Sequence, residues 1–330
     1  MTSSDSGRGV STVVDVTLAL LLLGAALAVL VTFAEAGDRD HEPMETEYTT
    51  ETVVASTMNT TYYPEEALGR HYGGDVYEKT DYERRDLKRV SHGPVVTQVA
   101  DVAMTEVTFD RATLGGDGGG RTTQLSRAAA EYHARVDEQL QARLVNVSFR
   151  THVAAVWEPI EGGPILGEAE VGPTPPARED VSATTITLRS DVPAVRDAAV
   201  EAVEHPDDFN VVAEIVAEAV VEGYFPELES QRALEGGGVD RDLTVYRYRN
   251  MADMLAVDGR DREEFETHLT RERANATAAN QLLIAELAAQ LTAYLEPASG
   301  PPENGPHGDA AAAAASITTG TVTVTVRTWT

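Results

Sequence analysis

The side chains best suited to metal binding and proton transfer in this chain are eight dispersed histidines. They are His41, His71, His92, His133, His152, His205, His268 and His307. No two of them are four residues apart, and neither an H-E-x-x-H nor an H-x-H pattern occurs. A zinc site would have to be assembled by the fold from distant residues, so we predict no metal site.

Other catalytic patterns are missing from the sequence as well. The chain has no cysteine, which excludes disulfides, thiolate ligands and a thiol nucleophile. Neither a G-x-S-x-G elbow nor an S-x-x-K motif is present. With 54 acidic residues, choosing two as general acid and base would be arbitrary. We therefore predict no catalytic residues, no cofactor and no enzymatic activity.

One glycine-rich stretch is close to a phosphate-binding loop. Residues 115–120 are GGDGGG, followed by Arg121 and Thr122, so arginine stands where the G-x-x-x-x-G-K-[ST] loop has lysine. No preceding strand is assured, and no acidic partner for magnesium is evident. We interpret the stretch as a linker.

The composition is strongly acidic. The net charge is −28, from 54 acidic and 26 basic residues, and Lys79 and Lys88 are the only lysines. This balance is typical of proteins that stay hydrated in molar salt, and it indicates an extreme halophile. Such a charge repels phosphates, so we predict no nucleic-acid partner.

The most informative segment is Val16–Ala34, nineteen residues without a charge, flanked by Asp15 and Glu35. As a helix it would be roughly 30 Å long, enough to cross a bilayer. We predict a transmembrane helix within residues 10–36, with the lipid bilayer as a partner. The short N-terminal side would be cytoplasmic, and residues 37–330 would form an α+β extracytoplasmic domain of a single-pass cell-membrane protein.

Three fates of this segment are open. It is a retained anchor, a signal peptide cleaved at Ala34-Glu35-Ala36, or a processed pilin-like helix. The third possibility comes from residues 8–15, RGVSTVVD, which resemble the leader junction of archaeal type IV pilins. The resemblance implies that residues 1–9 are a leader and that Arg8, Gly9 and Val10 form the processing junction, with cleavage after Gly9.

Asp15 has two interpretations. Type IV pilins of bacteria carry an acid near the start of the mature helix that is used in subunit docking, so the resemblance implies an assembly role. Alternatively, Asp15 caps the transmembrane helix at the headgroup level. Thr12 and Asp15 both depart from the archaeal pattern, which usually has proline and an uncharged residue there.

Three N-x-[ST] sequons are consistent with an exported surface. They begin at Asn59, Asn146 and Asn275, and the chain has only seven asparagines. Such sequons are acceptors for N-glycosylation in exported proteins. We predict these three residues as candidate glycosylation sites.

Periodicity predicts the elements of the domain. Composition or alternation predicts strands at Glu45–Tyr63, Val145–Trp157, Ser182–Arg189 and Ile317–Trp329, and Gly162–Pro176, which is rich in glycine and proline, is predicted as a loop. Helical spacing predicts helices from Pro94 to Val107 and at Thr122–Leu144, Pro193–Glu204, Phe209–Glu222, Arg241–Val257 and Glu263–Leu295. The strands ending at the two tryptophans should be neighbours in an antiparallel sheet covered by helices.

The overall pattern resembles an uncharacterised haloarchaeal family of single-pass, pilin-like surface proteins. The segments that carry it are RGVSTVVD, ETVVASTMNTT, SHGPVVTQVADVAM and the final TVTVTVRTW. The resemblance implies a non-enzymatic assembly component or minor subunit of a pilus-like or secretion-type structure, with other pilin-like membrane proteins as partners. The alternative is a membrane-tethered sensor or ligand-binding domain.

Overall fold

The computed structural model describes residues 56–109, 128–144, 150–178, 180–298, 300–301 and 305–329, which all belong to one compact unit, Thr46–Thr330. Their secondary structure combines helices with antiparallel sheets, which confirms the predicted α+β class. Among the described helices, none is both long and apolar enough to cross a bilayer. The predicted leader (1–9) and transmembrane helix (10–36) lie outside the described residues.

The described strands form two antiparallel sheets. The smaller sheet pairs β1 (Thr57–Tyr62) with β2 (Arg89–Pro94). The larger sheet contains five strands, which are β3 (Val107–Phe109), β4 (Arg150–Trp157), β5 (Ile165–Val171), β6 (Ser182–Arg189) and β7 (Thr321–Trp329). Their order across the sheet is β3-β5-β4-β7-β6.

The predicted pairing of the two tryptophan-ending strands is confirmed. Strands β4 and β7 are antiparallel neighbours, with Val153 opposite Val326. Along β7, Val322, Val324 and Val326 are fully buried. The threonines between them point to the opposite face, as the two-residue repeat of a strand requires.

Helices make up most of the remaining described chain. Before β4 they are α1 (Glu65–Tyr72), α2 (Val76–Lys79), α3 (Arg84–Leu87), α4 (Val95–Thr105) and α5 (Ala128–Leu144). After β6 they are α6 (Arg196–Ala202), α7 (Phe209–Tyr224), α8 (Glu227–Glu235), α9 (Val239–Met254), α10 (Gly259–Leu269), α11 (Ala276–Leu295) and α12 (Ala310–Ala315).

The main core lies between the larger sheet and the helices. Helices α7 and α11 pack closely together. The apolar side of α11 lies in this core, because Leu283, Leu287, Leu291 and Leu295 are fully buried. On the sheet side, the inward residues of β4, including Val153 and Trp157, belong to the same cluster.

The predicted loop Gly162–Pro176 is wrong, because it contains strand β5. Within that strand Ile165, Gly167, Ala169 and Val171 point inward and are buried. Gly167 is needed there because helix α4 crosses the strand closely, and a Cβ at this position would overlap the carbonyl oxygen of Ala103. The glycine that suggested a loop is therefore a packing residue of a strand.

The predicted helix Glu263–Leu295 is divided in two. Helix α10 ends at Leu269, a short 3₁₀ turn follows at Arg271–Arg273, and α11 begins after Asn275. The side-chain oxygen of Asn275 accepts the backbone N–H of Ala278 at 3.0 Å, which is an N-cap. The cap satisfies a backbone donor that a continuous helix would have bonded internally.

The helix predicted from Pro193 begins later, at Arg196. The Pro193 carbonyl accepts the hydroxyl of Thr319 at 2.7 Å, and the Val192 backbone N–H donates to the side chain of Ser190 at 3.2 Å. These bonds hold Pro193 against Thr319, just before β7, so the residues before α6 connect the sheet to the helix and are not part of it. Val195 is the N-cap residue of α6, and its side chain makes no capping hydrogen bond.

The polar segment before β2 folds into α1, α2 and α3. A small apolar cluster of Leu68, Val76, Leu87 and Val239 joins these three helices to the start of α9. Tyrosines 63, 72 and 82 pack at its edge. The N-terminal helices thus rest on a helix that lies more than 150 residues later in the chain.

Candidate functional site

The described histidines do not form a metal centre. Within the described residues there is no group of three or more potential ligands that could hold a metal ion. His152 is buried, and its Nδ1 accepts from the Arg327 guanidinium at 3.3 Å. Burial lowers the pKa of His152, which agrees with a neutral ring that accepts from the arginine.

His133 on α5 bonds to two acceptors. Its Nδ1 lies 3.0 Å from Oε1 of Glu106 and its Nε2 lies 2.8 Å from the carbonyl oxygen of Glu170. A neutral imidazole has only one N–H, so satisfying both acceptors requires the imidazolium. The hydrogen bond to Glu106 is the main reason that the pKa of His133 is raised. The protonated His133 therefore connects α5 to Glu106 and to β5. We call this pair of hydrogen bonds the clamp.

We expect this clamp to weaken at alkaline pH. The pKa of His133 is raised on folding, so its stabilisation is complete below about pH 6.5 and is lost as the pH rises through the folded-state value. Losing one of the two bonds should cost about 1 kcal/mol. Urea unfolding between about pH 5 and 9 should show this loss for the native chain and not for His133→Gln. Equal pH dependence of the two proteins would contradict the clamp.

Two tyrosines donate to one buried carboxylate. Tyr72 and Tyr82 each place a hydroxyl 2.5 Å from Oδ2 of Asp242, and Nη1 of Arg241 lies 3.7 Å from Oδ1. Burial, followed by the bond to Asp242, raises the pKa of Tyr72 to about 12 and raises that of Tyr82 further. Both tyrosines therefore stay protonated at neutral pH. The hydrogen bonds of this cluster connect the N-terminal helices to α9.

Asp101 on α4 is a second unusual carboxyl. Burial, reinforced by the nearby charge of Asp191, raises its pKa to about 6. A carboxyl with such a pKa can exchange a proton near neutral pH. The depression described on the protein surface is lined by other residues and does not include Asp101.

The larger sheet has one exposed face, which we call the open face. It is formed by the outward residues of β5, β6 and β7, whereas His152 and Ala154 of β4 lie on the same side of the sheet but are buried. Two rows of threonines lie side by side on it, with Thr185 opposite Thr325 and Thr187 opposite Thr323. The hydroxyls of Thr185 and Thr325 are 3.4 Å apart. Hydroxyl and methyl groups therefore make up most of the part of this face formed by β6 and β7.

The open face carries charges of both signs. Glu168 and Glu170 extend from β5, Arg189 lies on the edge strand β6, and Arg327 on β7 lies beside His152 of β4. The whole chain, by contrast, has a net charge of −28. The outward residues of β6 and β7 include no acid.

A shallow depression lies at one end of the open face. Its volume is about 280 Å³, and it is lined by Val156, Glu158, Glu161, Thr318, Thr321 and Thr323. The Glu158 carboxylate accepts the backbone N–H of Gly162 at 3.0 Å, and its carbonyl accepts the Thr318 hydroxyl at 2.5 Å. The depression therefore has a fixed polar wall that could bind a small polar ligand.

Two of the predicted glycosylation residues are described, and both are exposed. Asn59 is on β1, with Oδ1 2.5 Å from Nδ1 of His92, and Asn275 caps α11. They lie in different parts of the fold and form no common site. The other predicted residues, Arg8, Gly9, Val10, Asp15 and Asn146, lie outside the described residues, as does the glycine-rich stretch 115–120.

The sequence patterns did not identify the Asp242 cluster or the open face. Asp242 is one of many acids, and its partners are 160 and 170 residues away. The alternation of threonine with valine in β7 is visible in the sequence and predicts the strand. The threonines of β6 lie beside those of β7 because the two strands are neighbours in the sheet. The alternation within one strand does not predict which strands are neighbours.

Comparison with known proteins places the chain in a family without assigning an activity. No curated protein and no solved structure matches it. A family model described as "Family of unknown function (DUF7284)" matches residues 14–329. Because the match covers nearly the whole chain, the protein belongs to the DUF7284 family.

Proposed function

We propose that this protein is a non-enzymatic, single-pass surface protein of the haloarchaeal pilin-like kind. Its N-terminus is cytoplasmic and the described domain is extracellular. It acts as an assembly component or minor subunit of a pilus-like or secretion-type structure, beside other pilin-like membrane proteins. The observation that carries the proposal is the open face of the larger sheet.

The open face is chemically suited to docking. Threonine is β-branched and has few rotamers to lose, so covering it costs less side-chain entropy than covering lysine or glutamate. Each hydroxyl can both donate and accept a hydrogen bond. The threonine rows of β6 and β7, at Thr185, Thr187, Thr323 and Thr325, have no charge to desolvate. A partner surface could therefore cover it at low cost.

The N-terminal sequence supports the membrane location. Val16–Ala34 is long enough for one span, and the Arg8-Gly9-Val10 junction precedes it directly. Retention of the helix after cleavage would leave an anchor through which subunits can pack in the bilayer. Under this proposal Asp15 lies five residues from the mature N-terminus, where it serves docking or capping.

The mature N-terminus tests this proposal. We expect a chain that starts at Val10 when the protein is isolated from its native membrane and sequenced by mass spectrometry. Gly9→Phe should block trimming because the bulky side chain occupies the position before the cleaved bond. Gly7→Phe, two residues earlier, is the matched control and should be trimmed normally. A start at Gly37, or trimming that is unchanged in Gly9→Phe, would refute the pilin-like role.

The depression favours a second candidate, a tethered ligand-binding domain. Its lining combines two carboxylates with three threonine hydroxyls. Such a domain needs no subunit packing through its membrane helix. An N-terminus that is never trimmed, in a protein that purifies without other membrane proteins, would favour this candidate over the first.

A further inference from the structure

Among the described strands, β6 forms one edge of the larger sheet. Of the described helices and strands, β7 is the one that packs along it. The backbone N–H of Ser190 donates to the carbonyl of Gly320 at 3.0 Å, so even-numbered residues of β6 direct their backbone groups toward β7. The backbone N–H and C=O groups of Ala183, Thr185, Thr187 and Arg189 therefore point away from the sheet.

This edge lacks the features that usually prevent strand pairing. It has eight residues, about 26 Å, with no proline, glycine, lysine or acid among Ser182–Arg189. The opposite edge, β3, has only three residues in the described chain. Strand β6 is thus the longer of the two described edges, and its sequence is rich in β-branched residues.

The geometry points to β6 of a second copy of this chain as the occupant: we infer that two copies pair antiparallel through β6. A two-fold axis places the same segment on both sides of the interface, so that segment must be compatible with its own copy. Strand β6 is compatible in charge because it contains no carboxylate. Elsewhere the net charge of −28 opposes close approach. The inference rests on the proposed assembly function and names its partner.

In one register, all four residues whose backbone groups point away from β7 pair with the second copy. With the axis beside Ile186, Thr185 of each copy faces Thr187 of the other, and Ala183 faces Arg189. About eight backbone hydrogen bonds can then form between the copies. The axis is perpendicular to the sheet, so both open faces lie on the same side of one ten-stranded sheet.

Sedimentation of the full chain in detergent tests the pairing. In molar salt, where the Debye length is about 3 Å, we expect a dimer that dissociates as the salt is lowered. Thr187→Pro removes an outward N–H without breaking a bond to β7, and proline is tolerated at such edge positions. It should weaken dimerisation at least tenfold. Thr187→Ala keeps the N–H and should dimerise like the native chain. Circular dichroism checks that both variants remain folded.

Cross-linking tests the register in a chain that has no other cysteine. Ile186→Cys places two thiols at a non-hydrogen-bonded pair on the axis, about 4.5 Å apart at Cα, which a disulfide can bridge. Thr184→Cys, on the same side of the same strand, lies about 13 Å from its copy. We expect mild oxidation to link Ile186→Cys at least tenfold faster.

Three outcomes would overturn the inference. They are a monomer at every salt concentration, a dimer equally stable in Thr187→Pro and Thr187→Ala, and linkage no faster at position 186 than at 184. A monomer with outward β6 amides protected from hydrogen exchange would show that the edge is covered within a single chain. Trimming at Gly9 is measured independently, so either proposal can fail alone.

Discussion

Replacing Trp157 with alanine should lower the free energy of unfolding by about 3 to 5 kcal/mol. The side chain is fully buried at the end of β4, and its ring meets that of Tyr224 edge-on at 6.0 Å. Its Nε1 donates to the carbonyl of Thr319 at 2.8 Å. The substitution leaves a large cavity between the sheet and α7, and removes a bond to the residues before β7. Urea unfolding followed by circular dichroism measures the loss.

One further variant separates the effect of side-chain volume from that of the hydrogen bond, and a second provides a control at an exposed position. Trp157→Phe keeps much of the ring and loses the N–H, so we expect a smaller loss of about 1 to 2 kcal/mol. Val90→Ala removes an apolar side chain that is 59% exposed and should change stability by less than about 0.5 kcal/mol. A Trp157→Ala loss below about 1 kcal/mol would show that the core described around β4 is incorrect.

Replacing Asp242 with alanine should cost about 3 kcal/mol or more. Asp242 is 6% exposed and accepts the hydroxyls of both Tyr72 and Tyr82. Removing it leaves two partly buried donors without their acceptor and Arg241 without its nearest carboxylate. Because these contacts join α1 and the segment before α3 to α9, local hydrogen exchange should increase there first. Urea unfolding and amide exchange measure the two effects.

Asp240 provides the matched control on the same helix. It pairs with Arg89 at 2.5 Å, but its side chain is 82% exposed, so Asp240→Ala should cost less than about 1 kcal/mol. Asp242→Asn keeps the shape and one acceptor oxygen, and should lie between the two alanine variants. Equal losses for Asp240→Ala and Asp242→Ala would contradict the role of the buried carboxylate.

Much of the fold is predictable where the local pattern and the tertiary environment agree. Strand β7 is predictable because its valines recur every two residues and all face the core. Helix α7 was predicted at Phe209–Glu222 and is found at Phe209–Tyr224, because its apolar residues recur at helical spacing. The β4–β7 pairing followed from two strands with matching composition.

The errors arise where a distant contact decides a local conformation. Gly167 looks like a loop residue until Ala103 of α4 is placed against it. The division between α10 and α11 depends on Asn275, whose capping side chain competes with helix continuation. The tyrosines of the N-terminal segment are scattered in sequence, and their shared acceptor, Asp242, lies 160 and 170 residues away from Tyr82 and Tyr72.

The candidate docking surface was only partly predictable. Exposed threonines follow from the alternation in β6 and β7, since a strand shows one side of its residues to solvent. Which strand forms the edge depends on the order β3-β5-β4-β7-β6, a property of pairings between residues far apart in sequence. No local pattern in Ser182–Arg189 distinguishes an edge strand from a central one.

The position of β7 between β4 and β6 also affects how the protein is made. Strand β6 leaves the ribosome about 130 residues before its neighbour β7. At about 5 to 20 residues per second, that delay is roughly 7 to 26 seconds. Throughout this interval β4 and β6 each lack the neighbour that they have in the finished sheet. Nascent chains are therefore exposed to mispairing for many seconds, so we expect a chaperone or prompt export to limit aggregation during synthesis.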